Sequence, residues 1–397
     1  MTPPIRRGAL LAGPLTAALV LAGCTDDPAT PDAATVPIER TPDTAVEAPP
    51  AVDTDGLRVP LQVDTVRLVD PGWDAAPQTA DGIALGVDER DGLQRFTAVA
   101  ADGEALWSAE RPASGTGHAV TTTSAGRALA VLADTGADTA AESTTATAYD
   151  LRTGEPVWGP VDVPGPPAGP GLVFAESGSE PADAAGSRVV LDADTGEPVT
   201  LEADVSVLGE HRGTVLVRDG DEVVARTADG EARWRLDTAD QGWEAGAVTA
   251  SLEPSPGPGT VRLRTGEASE ALVDLDDGTV LADGFTDVGV DPTTGTVVTV
   301  DADGLRGLDA AGTELWTTST AQETTIEGVS GALVYLRVGD SLRAHNVVTG
   351  NVAEAYDPEG TGDLVAPVAV TDAGSIVLSD YSGYLLATTD TVAPPAP

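Results

Sequence analysis

Lysine does not occur in this chain, methionine and cysteine occur once each, and asparagine appears only at Asn346 and Asn351. A single cysteine excludes an intrachain disulfide. The lack of lysine and methionine, beside 45 Gly and 30 Pro, removes long helix formers and supplies turn residues, which favours strands over helices. Basic charge is scarce as well: 21 arginines face 64 acidic residues, for a formal net charge of -43. Such a surface repels phosphate backbones, so DNA and RNA are poor candidates for partners and none is expected, and the acidity reads as a solubility trait. An arginine- and alanine-rich chain without lysine points to a high-GC genome of actinobacterial type.

What is present begins with an address. Arg6 and Arg7 precede an apolar run from Gly8 to Gly23, which is the pattern of an export signal and short for a permanent span. The segment closes on Leu21, Ala22, Gly23 and Cys24, which resembles the lipobox of bacterial lipoprotein precursors. That resemblance implies cleavage before Cys24, acyl chains such as palmitate on the new terminus, and anchoring on the extracytoplasmic face of the cell membrane. The paired arginines leave Sec and twin-arginine export both open. Residues 24–56 are rich in Pro, Thr, Asp and Ala and read as a disordered acidic tether, because they have little apolar surface to offset ordering entropy. Residues 389–397 read as a loose tail, which leaves 57–388 for the folded part.

Within 57–388 one phrase recurs. "VAADGEALW", "YDLRTGEPVW", "RTADGEARW" and "LDAAGTELW" each place a tryptophan four residues after a turn glycine. Aligned on that glycine, the copies fall at Gly103, Gly154, Gly196, Gly230, Gly278, Gly312 and Gly350. The mean step is about 41 residues, within the ~40–45 of a propeller blade. Strand-like segments on either side make each copy a hairpin with a further strand upstream. The Pro-rich stretch 159–171, with 134–148 and 253–260, reads as loop insertion.

These phrases resemble the repeat of the PQQ-like, or quinoprotein-like, β-propeller family, in which the terminal tryptophan docks on the neighbouring blade. The resemblance assigns Trp107, Trp158, Trp234 and Trp316 to blade docking; Thr200, Ala282 and Glu354 depart from it. It implies an all-β fold, a single propeller of eight four-stranded blades with seven as the alternative. The ring would be closed by 57–68 supplying a strand to the last blade. In signal, size and repeat the chain is also distantly similar to the propeller lipoprotein of the outer-membrane protein assembly machinery.

Catalytic, cofactor-binding and metal sites find no support in the residues. A quinoprotein enzyme of this family holds PQQ over calcium with Asn and acidic ligands and often an adjacent-cysteine disulfide. Two asparagines and one cysteine argue against it. His118, His211 and His345 fall in separate repeats, and "DLDDG" (274–278) and "DADG" (301–304) lack the spacing of a calcium loop. Trp73 and Trp243, in the related phrases "PGWDAA" and "QGWEAG", are candidate contact residues on a propeller face, with plugs between blades as the other reading. The expected role is therefore a non-catalytic binding or scaffold module at the cell envelope, its partner an envelope protein or small ligand. The alternatives are a quinoprotein-type oxidoreductase with a degenerate site and a ligand-sensing propeller serving a membrane partner.

Overall fold

The computed structural model describes residues 40–391 apart from 114–116, 136–143, 177–187 and the single positions 203, 245, 252, 258, 321, 340 and 381. The signal, Cys24, the tether up to residue 39 and the tail from residue 392 lie outside the described residues. Apart from a 3₁₀ turn at Leu61–Val63, every regular element described is a strand. Val, Thr and Leu alternating between Gly- and Asp-rich turns produce this, since β-branched side chains fit the pleat and the turns accept left-handed backbone.

Seven antiparallel four-stranded sheets follow one another along the chain, at 78–112, 117–163, 206–237, 249–285, 287–318, 324–353 and 366–391 with Val66–Trp73. These are the blades of a β-propeller, numbered here one to seven. First strands of successive blades touch, as Gln78–Ala80 does with Gly117–Thr122 and Thr324–Ser330 with Ala366–Val370, so they converge on the axis. Second strands such as Ala128–Thr135 and Thr214–Asp219 are largely buried, and fourth strands such as Ala232–Asp237 are largely exposed. The apolar clusters form between neighbouring sheets: Ala119, Leu129 and Trp158 of blade two pack with Leu172, Phe174 and Leu191 beyond it.

The strand count corrects the expectation of eight four-stranded blades in favour of the seven-blade alternative. Between blades two and three stands a reduced unit, the two-stranded sheet Val173–Ala175 with Arg188–Val190. Single bridges flank it, Pro167↔Phe174 on one edge and Leu191↔Pro198 on the other. Prolines explain the reduction, because a residue without an N–H cannot continue a ladder. This also corrects the reading of 159–171 as an insertion. Its carbonyls still pair, Pro166 accepting from Ala175 N (3.4 Å) and Pro170 from Glu210 N (3.0 Å), while Ala168 N donates to Val173 O (2.8 Å).

Closure follows the expected principle with a shifted register. Val66–Trp73, rather than 57–68, is the outer strand of blade seven, pairing Leu68↔Ala387, Val69↔Leu386 and Trp73↔Tyr384. Leu57–Arg58 instead pairs in parallel with Asp363–Leu364. The last strand, Tyr384–Thr391, carries the ring past residue 388.

Residues 40–56, assigned above to the loose tether, are a further correction: they run along the rim. Asp43 bridges Ser108 of blade one and Ala51 bridges Val69 of blade seven. Arg40 pairs with Asp134 at 2.7 Å, and the buried Arg111 donates to Arg40 O at 2.6 Å. This segment cannot build a core of its own, but it adds to edges already formed, and Val52 packs beside Leu68 and Val63.

Candidate functional site

All seven repeat glycines have positive φ, from 69° to 89°. The Asp-x-x-Thr-Gly phrase builds this turn by spending its polar groups locally. Asp150 Oδ1 accepts from the amides of Arg152 and Thr153, and Gly154 N returns to Asp150 O at 2.9 Å. Asn346 does the same for Val348 and Thr349 ahead of Gly350.

Each repeat tryptophan lies on the turn of the following unit. Trp107 Nε1 donates to Leu151 O (2.8 Å), Trp158 to Ala193 O (2.9 Å), Trp234 to Leu275 O (2.8 Å) and Trp316 to Val347 O (2.7 Å). Every acceptor lies three residues before the next turn glycine. A Cβ on Gly154, Gly196, Gly278 or Gly350 would stand 2.5–3.0 Å from the docked indole, so glycine is required there on space as well as on φ.

The three departures have distinct physical solutions. Thr200 leaves Gly230 facing open space, with nothing within 4 Å of a Cβ placed there. Ala282 lets the backbone close in, Leu281 O standing 2.9 Å from a Cβ on Gly312. Glu354 has no turn to meet, because the third and fourth strands of blade seven come from opposite ends of the chain. At that closure Gly103 of blade one is covered by Thr388 and Val69.

Trp73 and Trp243 are buried, with 1% and 8% of their surface exposed, which corrects their assignment as contact residues on a face. Trp73 fills the space above Gly86 of blade one, where a Cβ would be 2.3 Å from the indole. Trp243 packs in the cluster of blades three and four and donates to Asp283 Oδ2 at 3.0 Å.

A polar junction that the sequence did not signal sits beside the reduced unit. Glu210 is buried and accepts from Thr121 Oγ1 of blade two (2.9 Å), Leu172 N (3.1 Å) and Gly213 N (2.6 Å). Burial pushes its carboxyl up to about 7, against the lowering effect of those donors. Gly171 makes room for it, since a Cβ there would lie 2.4 Å from Glu210 Oε2. A second junction joins blades four to six. Arg262 pairs with Glu270 and with Asp287 (3.5 Å), and Asp287 Oδ2 accepts from Ile326 N at 2.7 Å. Burial raises the Asp287 carboxyl. Both junctions have their partners inside the ring, so they hold blades together.

The histidines do not converge. His118 stacks edge-on against Phe96 at 5.3 Å, His211 lies near Gly209, and His345 contacts Gly350 O at 3.0 Å. Burial pushes His118 and His211 down to about 4, so both are neutral at pH 7. Among the described residues no group of three or more His, Cys, Asp or Glu is placed to hold a metal ion. The acidic turns are occupied: Asp274 Oδ1 receives the amides of Asp276 and Asp277, and Asp301 receives those of Asp303 and Gly304 while pairing with Arg306 at 3.0 Å. A recess of about 580 Å³ opens on blade five, lined among others by Asp301, Asp303, Arg306, Thr317 and Ser319.

The surface therefore offers a candidate of another kind. Around the outer strand of blade six, Val352–Ala353, apolar side chains stand in solvent: Val352 is 74% exposed, Val348 44% and Leu61 46%. Sequence periodicity did not mark them, because a two-residue strand shows no alternation.

No family model matches the chain, and no curated protein matches it. Solved structures do. BamB from Moraxella catarrhalis is similar over 81% of this chain and 98% of its own, at 14% identity and a TM-score of 0.45. Apo AztD from Citrobacter koseri is similar over 72% and 87%, at 14% identity and a TM-score of 0.45. A streptogramin B lyase is similar over 80% and 93%, at 10% identity and a TM-score of 0.37.

Proposed function

We propose that this protein is a membrane-anchored, extracytoplasmic β-propeller lipoprotein that acts as a non-catalytic binding or scaffold module at the cell envelope. The observation that carries this reading is the use of the repeat chemistry. The recurring phrases, Asp-x-x-Thr-Gly and tryptophan, are consumed in joining one blade to the next, and the buried carboxyl of Glu210 and the partly buried one of Asp287 serve the same end. The result is a rigid ring that presents faces and a rim. The lipobox at Leu21–Cys24 supports the anchor, and the export signal supports the compartment. The resemblance in signal, size and repeat to the outer-membrane assembly lipoprotein concerns architecture and supports a tethered propeller, for which we take an envelope protein or small ligand as the partner.

The test of the non-catalytic reading is a thermal-shift and absorbance titration of the full chain with PQQ, with and without calcium. A ligand bound only by the native state must raise the melting temperature. No shift and no bound chromophore is the expected result. A saturable shift followed by turnover of an alcohol or sugar would replace the scaffold reading with the oxidoreductase.

A further inference from the structure

We propose that the outer edge of blade six is a docking site for an extended cationic peptide segment of another protein, which adds to Val352–Ala353 as a fifth strand. The proposal rests on the reading of the protein as a binding module and names the chemistry of its partner.

Val352–Ala353 pairs inward with His345 and Ala344 and with no further strand outward among the described residues. Exposed edges of this kind are usually blunted by charge, proline or a covering segment. The outer strand of blade three carries Arg233, Arg235 and Asp237, and that of blade two carries Pro156 and Pro160. Blade six instead leaves Val352 and Val348 bare. Three of the four large apolar side chains exposed among the described residues gather here; the fourth, Leu315, is on the outer strand of blade five.

The apolar groups flank the edge on both sides. Val352 stands opposite His345, on the side where Trp316 of blade five meets Gly350. Leu61 lies beyond the other flank, where its amide donates to Ala355 O at 2.8 Å. An added strand sends successive side chains to opposite faces, so two consecutive apolar residues would each meet an apolar neighbour.

This protein already accepts single backbone bridges at such edges. Its own residue Asp43 exchanges both backbone hydrogen bonds with Ser108, at 2.8 and 2.9 Å, and Val52 N donates to Leu68 O at 3.0 Å. The edges of blades one and seven are thereby occupied by the segment 40–52.

Charge selects the occupant. Asp64, three residues from Leu61, Glu354, two from Val352, and Asp357 and Glu359 further along the chain are exposed, against Arg343 and a half-buried Arg58 that is bound to Asp357 O. With a net charge of -43, a second copy of this chain is repelled and a cationic segment is attracted. The partner is thus a strand with a short apolar centre flanked by arginine or lysine.

The test uses the full chain in detergent and a blocked octapeptide, Arg-Lys-Val-Thr-Val-Val-Arg-Lys, followed by calorimetry and amide exchange. Saturable one-to-one binding is expected, with slowed exchange at residues 351–354 and weakening as salt rises. Val352→Ser and Val348→Ser, which remove the apolar contact without adding charge at exposed positions where the fold is insensitive, should each weaken binding at least tenfold. Absence of saturable binding, equal binding by a peptide with glutamates for its basic residues, or unchanged binding to Val352→Ser would overturn the proposal. So would self-association of the chain through this edge in sedimentation. Loss of the peptide site alone leaves the module reading intact, because that reading is judged separately by PQQ turnover.

Discussion

The indole of Trp158 lies on Gly196 of the next unit and donates to Ala193 O at 2.9 Å, so the reduced unit is locked into the ring by the same contact that joins full blades. Gly196→Ala should therefore be costly twice over. Its φ of 74° costs an L-residue about 1–2 kcal/mol, and the clash with the indole adds about 1–3 kcal/mol of overpacking. Gly230→Ala, with a φ of 89° and open space above it, should show the first cost alone. Urea unfolding of the two variants measures the difference; equal destabilisation would contradict an indole seated on Gly196.

Trp158→Ala should cost about 3–5 kcal/mol, as for other buried aromatic truncations, and remove one inter-blade hydrogen bond. Leu315→Ala, with its side chain exposed, should lie within about 0.5 kcal/mol of the parent. The same unfolding experiment reads both.

How much of this was legible follows from which groups carry each contact. The docking tryptophans repeat at fixed spacing from their glycines, so Trp107, Trp158, Trp234 and Trp316 could be read directly. The reduced unit could not, because 159–171 joins through backbone carbonyls of Pro166 and Pro170, which composition does not reveal. Trp73 and Trp243 break the spacing rule, so the sequence left them between a contact on a face and a plug between blades; their burial is decided by Gly86 and Asp283, 13 and 40 residues further along the chain. Segment 40–56 misled for a related reason. Low apolar content predicts disorder for a chain that must fold by itself, and this one borrows finished edges.

That segment supplies a prediction in exchange kinetics. The amides of Asp43, Val52, Asp70 and Ser108 are donors to partners at 2.8–3.0 Å and should exchange well below the free-peptide rate. Asp134→Ala removes the partner of Arg40 and should speed exchange at Asp43 while leaving Val69 unchanged. Free-peptide exchange at Asp43 in the parent protein would contradict the rim path.

The pH dependence contains opposing contributions. Glu210 is raised from 4.5 to about 7, so its contribution is fully present below about 4.5 and is lost as pH rises through about 7. His118 and His211 are lowered from 6.5 to about 4, so theirs is present above 6.5 and is lost as pH falls toward 4. Glu210→Gln should accordingly make the melting temperature fall less between pH 5 and 7.5 than in the parent. His211→Gln should soften the loss between pH 6.5 and 4. Melting curves across this range, with a parallel slope in parent and variant, would remove the titration from these groups.

Membrane anchoring is tested most directly by the intact mass of the mature amino terminus, taken from the membrane fraction of cells expressing the full chain. The expected result is a chain beginning at Cys24 with diacylglycerol on its thiol, and a Cys24→Ala variant that leaves the membrane. An unmodified terminus, or cleavage at another residue with the propeller free in the soluble fraction, would contradict it.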